Sequence, residues 1–280
     1  MLQVLAPPLA ALCRSAPFER GRWRIGSLAG RLLESAPFPA GRRTVGTRHG
    51  FAMSLGLGEF VDRTIWCQGE WEPLQSQLIR QVLRAGDRFV DVGANIGYFS
   101  LLASRCVGPT GKVIAIEANA ATHALLTANL ALNACGNVDA RLVAVGDEPG
   151  RARIVSPEAG NAGADRVAFA AEGDGTVAVE RLDSLLGNGP VRLIKIDIEG
   201  AEAKAIRSAG ALLQGPDAPD LVFEFTPEFL SAAGDDPAEL LGYLRSLGYR
   251  MSELADAGLC EPAADILTRR QTYLYCTKRS

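Results

Sequence analysis

The chain has 280 residues, 48% hydrophobic and 22% charged, with 30 Gly and 15 Pro. That is ordinary globular composition, enough for one large α/β domain with an appendage. A net charge of −3 excludes general affinity for nucleic acid, and no apolar run reaches the length that spans a bilayer. The six Cys (13, 67, 106, 135, 260 and 276) form no CxxC pair, and His49 and His123 are the only histidines, which leaves little for a zinc site or a Ser–His–Asp triad.

Charge is unevenly spread. Residues 1–50 carry eight Arg against Glu19 and Glu34, about +6, leaving about −9 for the remainder. This segment reads either as coding composition, since basic residues are mostly Arg, or as a weak contact with a membrane surface or an anionic substrate. The opening MLQVLAPPLAALCRSA has no basic n-region and Pro7-Pro8 interrupts it, so no signal peptide is expected. Cys106 in an apolar helical context suits a free thiol in a reducing compartment, so a cytoplasmic location is expected. Residues 1–50 are expected to form a basic cap or extension, with one domain over 51–280; nothing in the sequence sets the oligomeric state.

A short helical pattern falls around Ile25–Leu33, and FAMSLGLGEFVDRTIW (51–66) reads as extended. Pro at the start of Pro73–Leu83 suits a helix. From Gly86-Asp87 a regular alternation begins. Strand RFVDVG is followed by helix IGYFSLLASRC, and strand KVIAIEA by helix ATHALLTANLALNA. Strand DARLVAV precedes an irregular stretch over about 147–176. Strand TVAVERL leads to the short helix LDSLL, strand VRLIKID to helix EAKAIRSAGALL, and strand DLVFEF to helix PAELLGYLRSLG. YRMSEL and QTYLYCTK close the chain as two β-rich segments. The pattern predicts a doubly wound, mostly parallel, Rossmann-like seven-stranded sheet with an antiparallel C-terminal strand and a β-rich insertion before the fourth core strand.

Asp91-Val-Gly-Ala-Asn-Ile-Gly97 falls where the first core strand turns into a helix, at the sheet edge where ligands bind. Gly93 permits close backbone approach, Asn95 accepts a left-handed conformation, and Gly97 opens the helix. Glu117 ends the second strand, where a carboxylate can take both hydroxyls of a ribose. A nicotinamide dinucleotide would need GxGxxG facing a pyrophosphate; here the spacing is GxxxG, and Asp91 would repel a pyrophosphate. S-adenosylmethionine carries no phosphate and has an α-amino group that such an acid can help hold. The alternatives are a nicotinamide-dependent oxidoreductase and a catalytically inactive partner that keeps the cofactor site as scaffold.

DVGANIGYFS, GKVIAIEA, the NLALN helix, AVGDEPG, LDSLL and KIDIEGAE, preceded by GEWE at 69–72, resemble the FkbM-type S-adenosylmethionine-dependent methyltransferases in order and spacing, over roughly residues 60–260. The resemblance implies S-adenosylmethionine as cofactor and an O-methyltransferase of glycans, secondary metabolites or related small molecules. It also implies a cofactor site drawn from Glu72, Asp91, Gly93, Ala94, Asn95, Gly97, Glu117, Ala118, Asp147 and Asp197. Ala118 stands where the family usually has Pro, and the Gly/Ala-rich stretch 156–172 lacks the usual pattern.

LIKIDIEGAE (193–202) sets Lys195, Asp197 and Glu199 on alternate positions, so one face of a strand end would present all three. A hydroxyl attacking a methyl group needs a positioned base. Asp197 is the first candidate, as base or orienting acceptor, and Glu199 the second. Glu202 falls in the first turn of the next helix, where a carboxylate favours the dipole. Lys195 is expected to pair with Glu224, and His123 to be a surface or packing residue. Asp197, Glu199 and Glu224 are hard oxygen ligands of the kind magnesium or calcium accept, but their spacing demands no ion and no metal is expected.

Overall fold

The computed structural model describes residues 2–15, 22–34, 38, 41–156, 161, 163, 165–169, 176–215, 217–256 and 258–279. Of the 156–172 stretch, residues 157–160, 162, 164 and 170–172 therefore lie outside the described residues. Pro7 and Pro8 sit in the first turn of α1 (Ala6–Ser15), where their missing N–H groups go unneeded. α2 (Arg22–Glu34) packs beside α1. A hairpin of β1 (Arg42–Gly46) and β2 (Ala52–Gly56) crosses residue 50.

The 51–66 stretch is extended only through β2. After the Gly56–Gly58 turn it becomes α3 (Phe60–Gln68). Val61, Ile65 and Gln68 recur at helical spacing and are buried, and Asp62 accepts the Gly56 N–H at 2.7 Å while pairing with Arg42 at 2.9 Å. α1 packs against the C-terminal half of α3, where Cys13 lies 3.4 Å from Gln68 Oε1 and Arg14 reaches the Trp66 carbonyl, and α2 reaches its first turns through Glu34, 3.3 Å from Arg63. α4 (Pro73–Val82) then leads into the alternation.

That alternation runs β3 (Arg88–Val92), α5 (Tyr98–Val107), β4 (Lys112–Glu117), α6 (Ala120–Leu132), β5 (Val138–Leu142), β6 (Ala144–Val145), β7 (Gly150–Val155), β8 (Arg166–Phe169) and β9 (Val177–Glu180). It continues with α7 (Leu182–Leu186), β10 (Leu193–Ile196), α8 (Glu202–Ser208), α9 (Gly210–Gln214), β11 (Asp220–Phe225), α10 (Pro227–Ala232), α11 (Pro237–Ser246), β12 (Arg250–Ala255), β13 (Gly258–Cys260) and β14 (Thr272–Thr277). The helix expected over EAKAIRSAGALL divides at Ala209.

The main sheet has eight strands in the order β13-β12-β14-β11-β10-β3-β4-β5. β11, β10, β3, β4 and β5 pair in parallel, and β14 enters antiparallel between β11 and β12. The strand beyond the seven expected is β13, the short hairpin partner of β12. β6, β9, β7 and β8 form a separate small sheet, which is the β-rich insertion. Alternate strand residues serve two apolar layers: Phe89, Val113 and Leu193 pack with α3, α4 and α5, while Val90, Ile114 and Ile194 pack with α7, α8 and α11. Among the described residues no helix is long and apolar enough to cross a membrane.

Two asparagines of the NLALN run fix the hairpin to this frame. Asn129 accepts the Ser54 N–H at 2.8 Å and donates to the Ile96 carbonyl at 2.9 Å. Asn133, one helical turn on, exchanges hydrogen bonds with both backbone groups of Ala52 at 2.8 and 2.7 Å. Asn129 is buried, so Asn129→Ala strands a donor and an acceptor. Urea unfolding is expected to show a loss of about 2–4 kcal/mol; a change within about 0.5 kcal/mol would make the contact surface-like.

Candidate functional site

Beyond the carboxyl ends of β3, β4, β10 and β11 the chain encloses a cavity of about 550 Å³, at the switch point where β10 and β4 leave β3 in opposite directions. Its floor is the glycine turn after β3. Gly93 has φ +80°, and a Cβ there would lie 1.9 Å from the Asp197 carbonyl oxygen. The turn after β3 and the end of β10 are thus pressed backbone to backbone, and only glycine fits. Asn95 takes φ +49° and gives its N–H to Glu117 at 2.8 Å.

Glu117, at the end of β4, also accepts the Asn119 N–H at 2.8 Å. One carboxylate therefore braces the loops after β3 and β4, and each oxygen keeps capacity for a further donor. Burial raises its carboxyl above the ordinary value despite those N–H groups. Ala94, Asn95, Ala118 and Asn119 line the cavity beside it, with Ile116, Val143, Val145 and Ile154 supplying an apolar wall. Asp165 holds Asn119 at 2.6 Å and brings the insertion to the rim.

The other half of the cavity is acidic. Lys195, Asp197 and Glu199 all face it, as the alternation in LIKIDIEGAE requires. Lys195 does not pair with Glu224, because the parallel register sets it opposite Asp91 and Val222, with Glu224 two residues further along β11. Its Nζ lies 3.1 Å from Asp197 Oδ2, 3.6 Å from Asp91 Oδ1 and 5.0 Å from the centre of the Phe99 ring. Burial alone would lower the ammonium, but Asp197, Asp91 and Glu72 outweigh it and hold the lysine charged.

Asp91 was expected to face the cofactor. It is instead fully enclosed, takes the Ser100 hydroxyl at 2.7 Å, and is not among the cavity-lining residues; its route to the site is through Lys195. Gly97 also stands back from the cavity. It opens α5 at φ +91°, and a Cβ would meet Leu126 Cδ1 at 2.6 Å, so its smallness serves packing against α6. Asp147 lies outside the cavity, paired with Arg207 at 3.2 Å. His123 is half-buried on α6 away from the site, and His49 pairs with Glu70 at 3.4 Å.

Glu202 accepts the Ile198 and Gly200 N–H groups at 3.0 Å, closing the turn that carries Asp197 and Glu199. Burial pushes its carboxyl to about 7 against these bonds. That turn is tight: Glu199 has φ +52°, and a Cβ on Gly200 would lie 2.9 Å from the Phe229 carbonyl oxygen. Burial, then the charges of Asp197 and Glu202, raise Glu199 to about 7.

Glu72 enters from the opposite wall. It caps α4 in a left-handed conformation at φ +41°, bonds Gln75 and the Tyr273 hydroxyl, and is pushed up to about 8 by burial and by Asp197. Glu224 of β11 accepts from Gln271 and is driven to about 10 by burial, then by Asp197, Glu199, Glu202 and Glu72. Trp71, Arg270, Gln271 and Tyr273 complete the wall. Of these the sequence reading singled out only Trp71, within GEWE. A signal for the others exists: an antiparallel strand beside β11 sets its first residues against the last of β11, as the Glu224–Tyr273 register does.

No described residue before Phe60 lines the cavity.

The Methyltransferase FkbM domain profile matches residues 91–251. The chain is similar to several solved structures. The O-methyltransferase from Bacillus cereus in complex with S-adenosylhomocysteine is 11% identical with a TM-score of 0.46, over 99% of this chain and 100% of that one. Trm5b from Pyrococcus abyssi is 13% identical with a TM-score of 0.47, over 86% and 56%. Aeropyrum pernix fibrillarin with bound S-adenosylmethionine is 12% identical with a TM-score of 0.43, over 73% and 74%. No curated protein matches the chain.

Proposed function

Because the chain belongs to the FkbM methyltransferase family, we propose that it moves a methyl group from S-adenosylmethionine to a hydroxyl of a glycan, secondary metabolite or related small molecule. One observation carries the cofactor assignment. The glycine turn is pressed against β10 with no room for a Cβ at Gly93, and Glu117 stands braced at the end of β4 with acceptor capacity to spare. An acceptor beside a turn whose Gly93, Ala94 and Asn95 N–H groups are already bonded within the protein fits a nucleoside carrying a ribose diol and no phosphate. When bound, S-adenosylmethionine supplies a methyl group on a positively charged sulfur, which departs with the bonding pair.

The chain's own residues do the rest. Glu117 accepts the two ribose hydroxyls, and the backbone of Gly93 and Ala94 allows close approach. Asp197, at the end of β10 directly over Gly93, holds the acceptor hydroxyl and takes its proton as the oxygen attacks. Lys195 fixes the Asp197 carboxylate through Oδ2, leaving Oδ1 for the acceptor. A hydroxyl must shed its proton as it attacks, whereas an amine can do so afterwards, which is why a cavity rich in carboxylates favours oxygen. The walls of Trp71, Phe60 and Tyr273 position the acceptor, and orientation supplies much of the rate.

Isothermal titration with S-adenosylmethionine, S-adenosylhomocysteine and NADH tests the reading. The first two are expected to bind, and Glu117→Ala to weaken both at least about tenfold, since hydrogen bonds to a charged acceptor are worth roughly 1.5–3 kcal/mol each. Binding of NADH without S-adenosylmethionine would overturn it. Incubation with labelled cofactor and host extract, followed by a mass search for a product heavier by one methyl, identifies the acceptor.

A further inference from the structure

Asp197, Glu199 and Glu224 each offer a carboxylate oxygen within 4.8 Å of the other two. They come from two segments that the fold brings together, the turn after β10 and the end of β11. Glu224 is 4% exposed. One of its oxygens accepts from Gln271; the other, Oε2, is enclosed and has no hydrogen-bond partner among the described residues. An enclosed carboxyl oxygen given no partner is unfavourable whichever its protonation state, and its place beside two more acids fits a bound cation. Lys195 pairs with Asp91 and, within the trio, with Asp197 alone. Around the cavity Glu72, Glu117, Asp165, Asp197, Glu199 and Glu224 face only Lys195 and Arg270 among the described lining residues.

From these observations we infer that Asp197, Glu199 and Glu224 hold a divalent cation of the magnesium, manganese or calcium kind, with Glu224 Oε2 as one ligand. The donor set is all oxygen, which suits hard cations and disfavours zinc or copper. The separations suit one ion held between the three groups, with its remaining positions left to water and to the acceptor. This reverses the metal-free expectation from the spacing of these acids. The ion's purpose, though not the site itself, rests on the methyl-transfer reading: a hydroxyl bound to the cation would give up its proton at lower cost, to a carboxylate oxygen of the trio that the ion leaves free.

Manganese titration of the full chain, without cofactor or acceptor, and followed by the electron paramagnetic resonance of the free ion, tests the site independently of catalysis. One saturable site per chain is expected, displaced by magnesium or calcium. Glu224→Gln is expected to weaken it at least about tenfold, because even partners outside the ligand set cost that much, and Asp165→Asn to leave it within about twofold, as a screened charge outside the trio should. Thermal unfolding establishes that each variant is folded; if Glu224→Gln does not fold, the half-buried Glu199→Gln reads the same loss. No saturable site, a site indifferent to both substitutions in the trio, or equal weakening by Asp165→Asn overturns the inference. S-adenosylmethionine binding in that event would leave the methyl-transfer reading standing without the ion, and an intact manganese site without cofactor binding would do the reverse.

Discussion

Asp197→Asn is expected to slow turnover by about a hundredfold to ten-thousandfold, the range that loss of a positioned general base produces, while the affinity for S-adenosylmethionine changes far less. The substitution preserves shape and removes the proton acceptor. The cofactor contacts assigned to Glu117 and to the glycine turn are untouched, and Gly93 meets the Asp197 main-chain carbonyl, not its side chain. Single-turnover rates measured beside calorimetric affinities separate the two effects. With magnesium saturating, so that a weakened ion site does not enter, Glu199→Gln is the control: a smaller loss there assigns the proton transfer to Asp197, and a larger loss moves it to Glu199. Abolished cofactor binding in Asp197→Asn would make Asp197 a cofactor ligand instead.

The second large effect is on stability. Lys195→Met fills a similar volume but leaves Asp91 fully enclosed with only the Ser100 hydroxyl and removes the partner of Asp197. Breaking a buried ion pair on one side typically costs about 3–5 kcal/mol, and denaturant unfolding at neutral pH is expected to show a loss in that range. Adding Asp91→Asn removes the stranded charge, so the double variant should recover a substantial part of the loss. Two residues in one network are not additive, and simple addition of the two losses would refute the coupling between them.

Much of the frame was legible. GxxxG after an apolar strand and an acid closing the next placed Gly93, Asn95 and Glu117 at one edge, because strand–turn–helix units allow little else. Alternation in LIKIDIEGAE brought Lys195, Asp197 and Glu199 to one face for the same reason. What the local pattern could not show was pairing across strands. Two charges on neighbouring strands suggest a Lys195–Glu224 pair, whereas the parallel register sets Lys195 opposite Val222, two residues before Glu224, with Asp91 alongside. Asp91 reads as a ligand from its motif, yet strand alternation turns it into the layer that holds Lys195. The helical half of 51–66 was hidden because FVDRTIW is rich in β-branched and aromatic residues, and burial against α1 and α2 overrides that preference. Tyr273 and Gln271 could be placed only once β14 was known to lie beside β11.

That placement of β14 has a consequence for how the molecule comes together and comes apart. β12 and β13 touch the main sheet only through β14, so until β14 slots in, the whole edge has nothing to join. The Tyr273–Glu72 contact links positions 201 apart in the chain, and the entropy of closing such a span must be met before the contact returns anything. The five parallel strands can therefore assemble with Gly93, Glu117 and Asp197 already in register while the wall bearing Gln271 and Tyr273 is still absent. Run backwards, release of β12–β14 as one cooperative unit would open the acidic half of the cavity to water and leave the half braced by Glu117 closed.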